Sequence, residues 1–223
     1  MTDDTKDRVL DAALVHVPFD GWSDRTLRAA LVDAGADPRL ARALFPRGGV
    51  DLALAYHARG DAAMVARLQA TDLSALRFRD RIAAAIRARL EVADQELVRR
   101  GTTLFSLPMH AADGAKAIWG TADRIWTALG DTSQDLNWYT KRATLSAVYG
   151  STVLYWLGDN SPGHQATWEF LDRRIEQVMQ FEKLKGSLRE NPLGKALMAG
   201  PGKVLERIRA PKLPDDLPGR PFG

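Results

Sequence analysis

The 223 residues contain no cysteine. That excludes a disulfide framework, a thiolate metal site and a cysteine nucleophile. Strand-like alternation of apolar and polar residues is hard to find, which points away from sheet folds. Histidine is scarce and scattered, at His16, His57, His110 and His164. No E-x-x-H pair of a helical di-iron site occurs, nor a G-x-S-x-G, phosphate-loop or dinucleotide fingerprint. His57 does precede Asp61 by one helical turn, but a single such pair is common by chance. Charge of one sign is missing too: the net charge of +3 is too small to demand a nucleic acid partner. The charge-free run 143–158 is shorter than the roughly 18 apolar residues of a spanning helix, and it holds Thr144, Ser146, Ser151 and Thr152. The opening MTDDTKDRVLDAALVHV has no basic stretch before its apolar part, so it does not read as a secretory leader. The expectation is a non-enzymatic protein with no catalytic residue, metal or cofactor. Glu91, Asp94 and Glu96 read as surface ion-pair partners rather than acid–base groups.

What is present is helical. Val9, Leu10, Ala13, Leu14 and Val17 repeat at helical spacing before Pro18, Asp20 and Gly21 break the chain. Ser23 caps a second helix that Gly35 stops, and Asp37-Pro38 opens a short third one ending near Phe45-Pro46. A longer helix follows from about Val50 to Ala70, then the basic, alanine-rich segment RFRDRIAAAIRARLEVADQELVRR. Helices are expected over 111–129, 135–157 and 163–185, the last two separated by the turn Asn160-Ser161-Pro162-Gly163. The class is all-α with about ten helices. The expected domains are a helix-turn-helix-like module at 1–48, a helical ligand-binding part at 49–187, an amphipathic helix at 188–210 and a disordered tail at 211–223.

The front stretch TLRAALVDAGADPRLARALF resembles the DNA-binding module of TetR-type regulators, with small or apolar residues at Ala30, Gly35, Leu40 and Phe45. Where that family places its DNA-contacting aromatics and histidine, this chain has Arg42, Ala43 and Leu44. Arg25, Arg28, Arg39, Arg42 and Arg47 could meet phosphates or lie solvated on the surface. No Asn or Gln stands where a base reader is needed. No specific DNA binding is expected.

The stretch DLNWYTKRATLSAVYGSTVLYWLGD carries the rest. On a helix, Trp138, Arg142, Leu145, Tyr149, Thr152 and Trp156 share a face, while Ala143, Ser146, Ala147 and Gly150 fall elsewhere. Such small residues admit a neighbouring backbone or leave a void, so the segment is either packed core or the wall of an apolar pocket. Trp138 and Tyr139 beside Lys141 and Arg142 are either an interface hot spot or a cover for the helix end. TSQDLNWYTKRATLSAVYGSTVLYWLGDNSP, with TWEFLDRRI after it and LFSLPMHAADGAKAIWGTADRIWTALGD before it, resembles the coenzyme Q protein nine family of lipid-binding accessory proteins in ubiquinone biosynthesis. The specific elements are N-W-Y-T-[KR]-R, Y-x-x-T and D-x-S-P.

That resemblance implies a TetR-like fold without DNA binding and an isoprenoid or quinone lipid between the C-terminal helices. It also implies assistance to the di-iron demethoxyubiquinone hydroxylase. The residues expected around the lipid are Trp119, Trp126, Leu129, Leu145, Val148, Tyr149, Tyr155, Trp168 and Leu171. The implied partner patch is Asp135, Trp138, Tyr139 and Arg142. A homodimer through the last two long helices is implied by the TetR likeness, and a cytoplasmic protein attached to the inner membrane is expected. The alternative is a TetR-type transcriptional regulator with a small apolar effector.

The end, NPLGKALMAGPGKVLERIRAPK, is amphipathic: Leu193, Leu197, Val204, Leu205 and Ile208 lie on one side, and Lys195, Lys203, Glu206, Arg207 and Arg209 on the other. This is the pattern of a helix lying in a membrane interface. Aspartate at both Leu197 and Ile208 is expected to abolish binding to anionic liposomes without unfolding the protein. Each apolar side chain contributes roughly 1.5–3 kcal/mol when buried. Unchanged flotation of the double variant would remove this helix from membrane contact.

Overall fold

A computed structural model describes the chain over residues 2–190, with side chains over 4–181. The segments expected to be the amphipathic helix and the tail lie outside the described residues from 191 onward. Among the described residues there are ten α-helices and no strand: α1 Thr2–Leu14, α2 Val17–Asp20, α3 Asp24–Asp33, α4 Ala41–Leu44, α5 Gly49–Ala70, α6 Phe78–Glu91, α7 Gln95–Phe105, α8 Ala111–Ala128, α9 Leu136–Leu157 and α10 Gln165–Glu190.

Local chemistry explains the boundaries. Ser23 accepts the Thr26 backbone N–H at 3.2 Å and starts α3. Gly35, at φ +60, turns the chain away after α3, and the Ala36 N–H returns to the Leu31 carbonyl at 2.9 Å. Asp94 caps α7 through the N–H groups of Glu96 and Leu97 at 2.8 and 3.0 Å, and Asp135 caps α9 through that of Asn137 at 2.9 Å. One expected break is instead helical: Val17–Asp20 forms a turn, because Pro18 sits in the first turn, where no N–H is needed.

Helices α1 to α4 form a head around Val9, Leu10, Trp22, Leu31 and Phe45. Helices α6, α8, α9 and α10 form a body around Ile86, Ile125, Leu145, Tyr149 and Leu171. Helix α5 runs through both, giving Leu52 and Ala53 to the head and Met64 and Leu68 to the body. Gly49 lets α5 start against the Trp22–Ser23 backbone, since a Cβ there would stand 2.4 Å from the Trp22 carbonyl oxygen. Further ties clamp head to body. Trp22 Nε1 donates to the Leu97 carbonyl at 3.0 Å, Arg100 to the Pro18 carbonyl at 2.6 Å, and Arg47 to Asp113 at 2.9 Å.

In the head, the expected third helix is a 3-10 turn, Pro38–Leu40, followed by four α-helical residues. Arg25 pairs with Asp20, Arg39 with Asp37 and Arg47 with Asp51. The carboxylates Glu91 and Glu96 pair with Arg87 and with Arg99 and Arg100, as surface partners do.

At the centre of the body, Asp61 of α5 is 1% exposed and accepts from Arg89 Nε of α6 at 2.8 Å and from Thr121 Oγ1 of α8 at 2.9 Å. Arg124, 49% exposed, reaches its other oxygen at 3.3 Å. Removing one member of a buried pair leaves the other uncompensated. Asp61→Ala is therefore expected to lower unfolding free energy by about 3–5 kcal/mol and Arg124→Ala by less than about 1 kcal/mol, as measured by denaturant titration.

Candidate functional site

A cavity of about 400 Å³ lies between α5, α7, α8 and α9. Its walls are apolar: Ala53, Leu97, Val98, Phe105, Ile118 and Val153. Gly101, Gly114 and Gly150 also line it and add no side chain to fill it. The rim is exposed at Ser106, Ala111, Ala115 and Leu154, the last 63% accessible. The closed end is polar, with His57, Arg89 and Tyr149.

At that end His57 Nε2 lies 2.8 Å from Thr121 Oγ1 and 3.2 Å from the Ala117 carbonyl oxygen. Its Nδ1 faces Arg89 Nη2 at 3.4 Å. Burial pushes the His57 pKa down, and the Asp61 charge offsets only part of this. The ring is therefore neutral at pH 7, with its proton on Nε2, since Nδ1 meets a guanidinium donor. Burial also pushes the Tyr149 hydroxyl up, so it stays protonated. The His57–Asp61 spacing that looked like chance in the sequence is thus part of a buried polar cluster.

A second hollow, of about 280 Å³, lies on the other side of α9, between α6 and α10. Trp126, Lys141, Leu145 and Val148 line it together with Ile82 and Ile175. The Trp126 indole N–H there is buried and has no hydrogen-bond partner among the described residues.

The nine residues expected around a lipid divide between places. Tyr149 lines the first cavity; Trp126, Leu145 and Val148 line the second. Trp168 and Leu171 are core residues of α10, with the Trp168 indole donating to the Gly163 carbonyl at 2.8 Å. Leu129 packs at the edge of that core. Tyr155 stacks on Phe170 at 4.4 Å between ring centres. Trp119 joins the aromatic patch, 6.0 Å from Trp138 and 6.5 Å from Tyr139.

The patch at the start of α9 rests on charge. The Arg142 side chain, 3% exposed, donates from Nε to Asp123 at 2.5 Å and from Nη1 to Asp131 at 3.0 Å. Its guanidinium lies 4.0 Å from the centre of the Trp138 ring, a cation–π contact from below. Lys141 reaches Asp131 at 2.7 Å and Ser133 at 2.6 Å. Trp138 and Tyr139 pack edge to face at 4.8 Å and are half-buried. Asp135 caps the helix, and Arg142 holds the ring above it; both set the position of the aromatic pair. At the far end of α9, Asp159 accepts from the Ser161 N–H at 2.8 Å and the Thr167 N–H at 2.9 Å. The D-x-S-P motif is therefore the hydrogen-bonded corner between α9 and α10.

Residues 111–182 match the COQ9 family model. Over 183 residues the chain is 33% identical to "Ubiquinone biosynthesis protein COQ9, mitochondrial" of Drosophila melanogaster, covering 79% of this chain and 56% of that one. The human protein of the same name is 28% identical over 203 residues, covering 86% of this chain and 63% of its own. The chain thus spans between 56% and 63% of the length of these two relatives. Among solved structures, a TetR transcriptional regulator from Nitrosomonas europaea superposes with a TM-score of 0.62 at 17% identity, over 78% of this chain and 98% of that one. At that identity the likeness shows the fold, which is TetR-like, and nothing more. No helix among the described residues is long and apolar enough to cross a membrane.

The patch has a pH signature. Burial raises the Asp131 pKa, but hydrogen bonds from Lys141, Ser133 and Arg142 outweigh it and bring it from 3.8 down to about 2. The stabilisation is complete above pH 3.8 and is lost as pH falls from there through about 2. Tryptophan fluorescence of the native protein is expected to report loosening of this corner across that window. Asp131→Asn should lose that acid dependence and be less stable at pH 7 by about 1–3 kcal/mol, the penalty of buried donors left without their carboxylate.

Proposed function

Through residues 111–182 the chain belongs to the COQ9 family, and from that premise we propose that it is a non-enzymatic lipid-binding accessory protein of ubiquinone biosynthesis. It takes a polyprenylated quinone precursor from the bilayer and presents it to the di-iron demethoxyubiquinone hydroxylase. The observation that carries this reading is the apolar cavity bounded by α8 and α9, helices of the matching segment, with its exposed rim at Leu154. A packed core would leave no such volume. Its size falls in the range of small-molecule sites, which bury most of a ligand between apolar walls with a few polar groups.

Trp138 and Tyr139, with Trp119 beside them, are the docking patch for the hydroxylase; Asp135 and Arg142 hold the pair in place. The amphipathic segment after residue 190 contacts the inner-membrane surface and brings the cavity near the lipid. The uncharged outer side of α9, with Ala143 and Ala147 exposed, supports a homodimer through α9 and α10.

The test has two arms. Protein purified from its own cells is extracted and its lipids identified by mass spectrometry. An isoprenoid quinone or phenol is expected, and protein that copurifies with none, and takes up none from liposomes, overturns the reading. In the second arm Trp138→Lys is expected to cost about 2 kcal/mol or more of hydroxylase binding while lipid content is kept. A stable variant that still binds the hydroxylase normally would place the docking surface elsewhere.

A further inference from the structure

Histidine is the side chain whose ordinary titration falls between pH 5 and 8, and His57 lines the closed end of the cavity. Its two ring nitrogens are not equivalent. Nε2 donates to Thr121 Oγ1 at 2.8 Å, and Nδ1 accepts from Arg89 Nη2 at 3.4 Å. A second proton therefore goes onto Nδ1, where the new N–H points at an N–H of a guanidinium. Two donors and two positive charges then face each other at 3.4 Å. Arg89 has no room to withdraw. It is 3% exposed and bonded from Nε to Asp61 at 2.8 Å and from Nη2 to the His57 carbonyl at 3.1 Å. It also lies against the α5 backbone at Gly60, where a Cβ would stand 2.6 Å from Nη1. The imidazole is the group that moves, and the free space beside it is the cavity of about 400 Å³.

From this geometry we infer that His57 is a proton-operated release device for the cavity. In neutral surroundings the ring stays against Arg89 and the cavity holds an apolar ligand; on protonation the ring swings into the cavity and expels it. For the nature of the ligand this rests on the lipid-carrier reading above. The groups around the ring oppose its charge. Asp61 of α5 attracts it, with Oδ2 3.7 Å from Nε2, but that carboxylate already answers Arg89 of α6 and Arg124 of α8. Burial keeps Tyr56 of α5 and Tyr149 of α9 protonated and neutral. The α7 residues at the cavity, Leu97, Val98, Gly101, Thr102 and Phe105, carry no charge. Burial is the largest cause that holds the His57 pKa below the ordinary 6.5; Arg89 and Arg124 act with it, and Asp61 offsets part. The neutral, ligand-holding form is thus complete above pH 6.5 and is lost as pH falls through the lower folded value. An apolar ligand takes more water from the same ring and holds its protonation lower still. By reciprocity, protons weaken the ligand's hold.

The experiment titrates the delipidated full chain with the neutral fluorescent probe N-phenyl-1-naphthylamine at pH 7.5 and at pH 5.0, with helix content followed by circular dichroism. One linked proton is expected to raise the Kd of the unaltered protein about threefold or more between the two, with helix content unchanged. His57→Gln keeps a donor for Thr121 and an acceptor for Arg89 but takes no charge, and its Kd is expected to change less than about 1.5-fold, the linked proton being gone. His110→Gln, beside the rim, is expected to keep the full pH dependence. Binding that does not change with pH, or that weakens equally in His57→Gln, overturns the release device and leaves the carrier reading standing. Loss of helix over the same range also overturns it. A protein that binds no probe at pH 7.5 removes both. Should His57→Gln not fold, the His57 ring resonance of the unaltered protein decides. It is expected to titrate below pH 6.5 and lower still with probe bound, and a midpoint that the probe does not move overturns the inference.

Discussion

A carboxylate with almost no contact with water must be answered from several directions, and Asp61 is answered by three. Arg89 reaches it from α6, Thr121 from α8 and Arg124 from further along α8. Helices α5, α6 and α8 can close on one another only if these groups meet. Once they meet, the His57 ring is fixed between Thr121 and Arg89 in a single tautomer. The closed end of the cavity is therefore a by-product of satisfying one buried charge. Apolar residues of the same volume would stabilise the body equally well or better, so what the polar cluster adds is one fixed arrangement of these side chains.

The other buried charge network, under Trp138, follows the same logic with a different product. Arg142 between Asp123 and Asp131 needs α8, the following loop and α9 in register. What that register delivers to the surface is a pair of aromatic rings at a helix start. The two networks share no side chain, although Thr121 and Arg124 of one and Asp123 of the other stand on a single turn of α8. One shapes an interior and the other an exterior.

Much of the fold was legible because it depends on neighbours in sequence. The face of α9 read from helical spacing, with Arg142, Leu145, Tyr149, Thr152 and Trp156, is the face that is buried. The caps at Ser23 and Asp37 were legible because a cap acts within two or three residues. The site was less so. His57 and Asp61 acquire their meaning from Arg89 and Thr121, which lie on other helices. Val148 and Tyr149 are adjacent, yet line separate hollows, because a helix turns about 100° per residue. Grouping aromatic residues by composition could not separate Trp119, which packs in the patch, from Trp126, which lines a hollow. The glycines at 101 and 114 gave no sign in sequence that they border a void.

Helix α9 carries Trp138 near one end and Leu154 near the other, and runs without proline from Leu136 to Leu157. At 1.5 Å per residue the patch and the rim stand about 24 Å apart on one rod. A stiff rod transmits tilt. A partner that leans on the first turn of α9 by a few degrees displaces the opposite end by about an ångström or more, with no relay of side chains between. The helix is in mechanical terms a lever with its fulcrum at the buried face around Leu145, so that a push at one end and a shift at the other are a single movement.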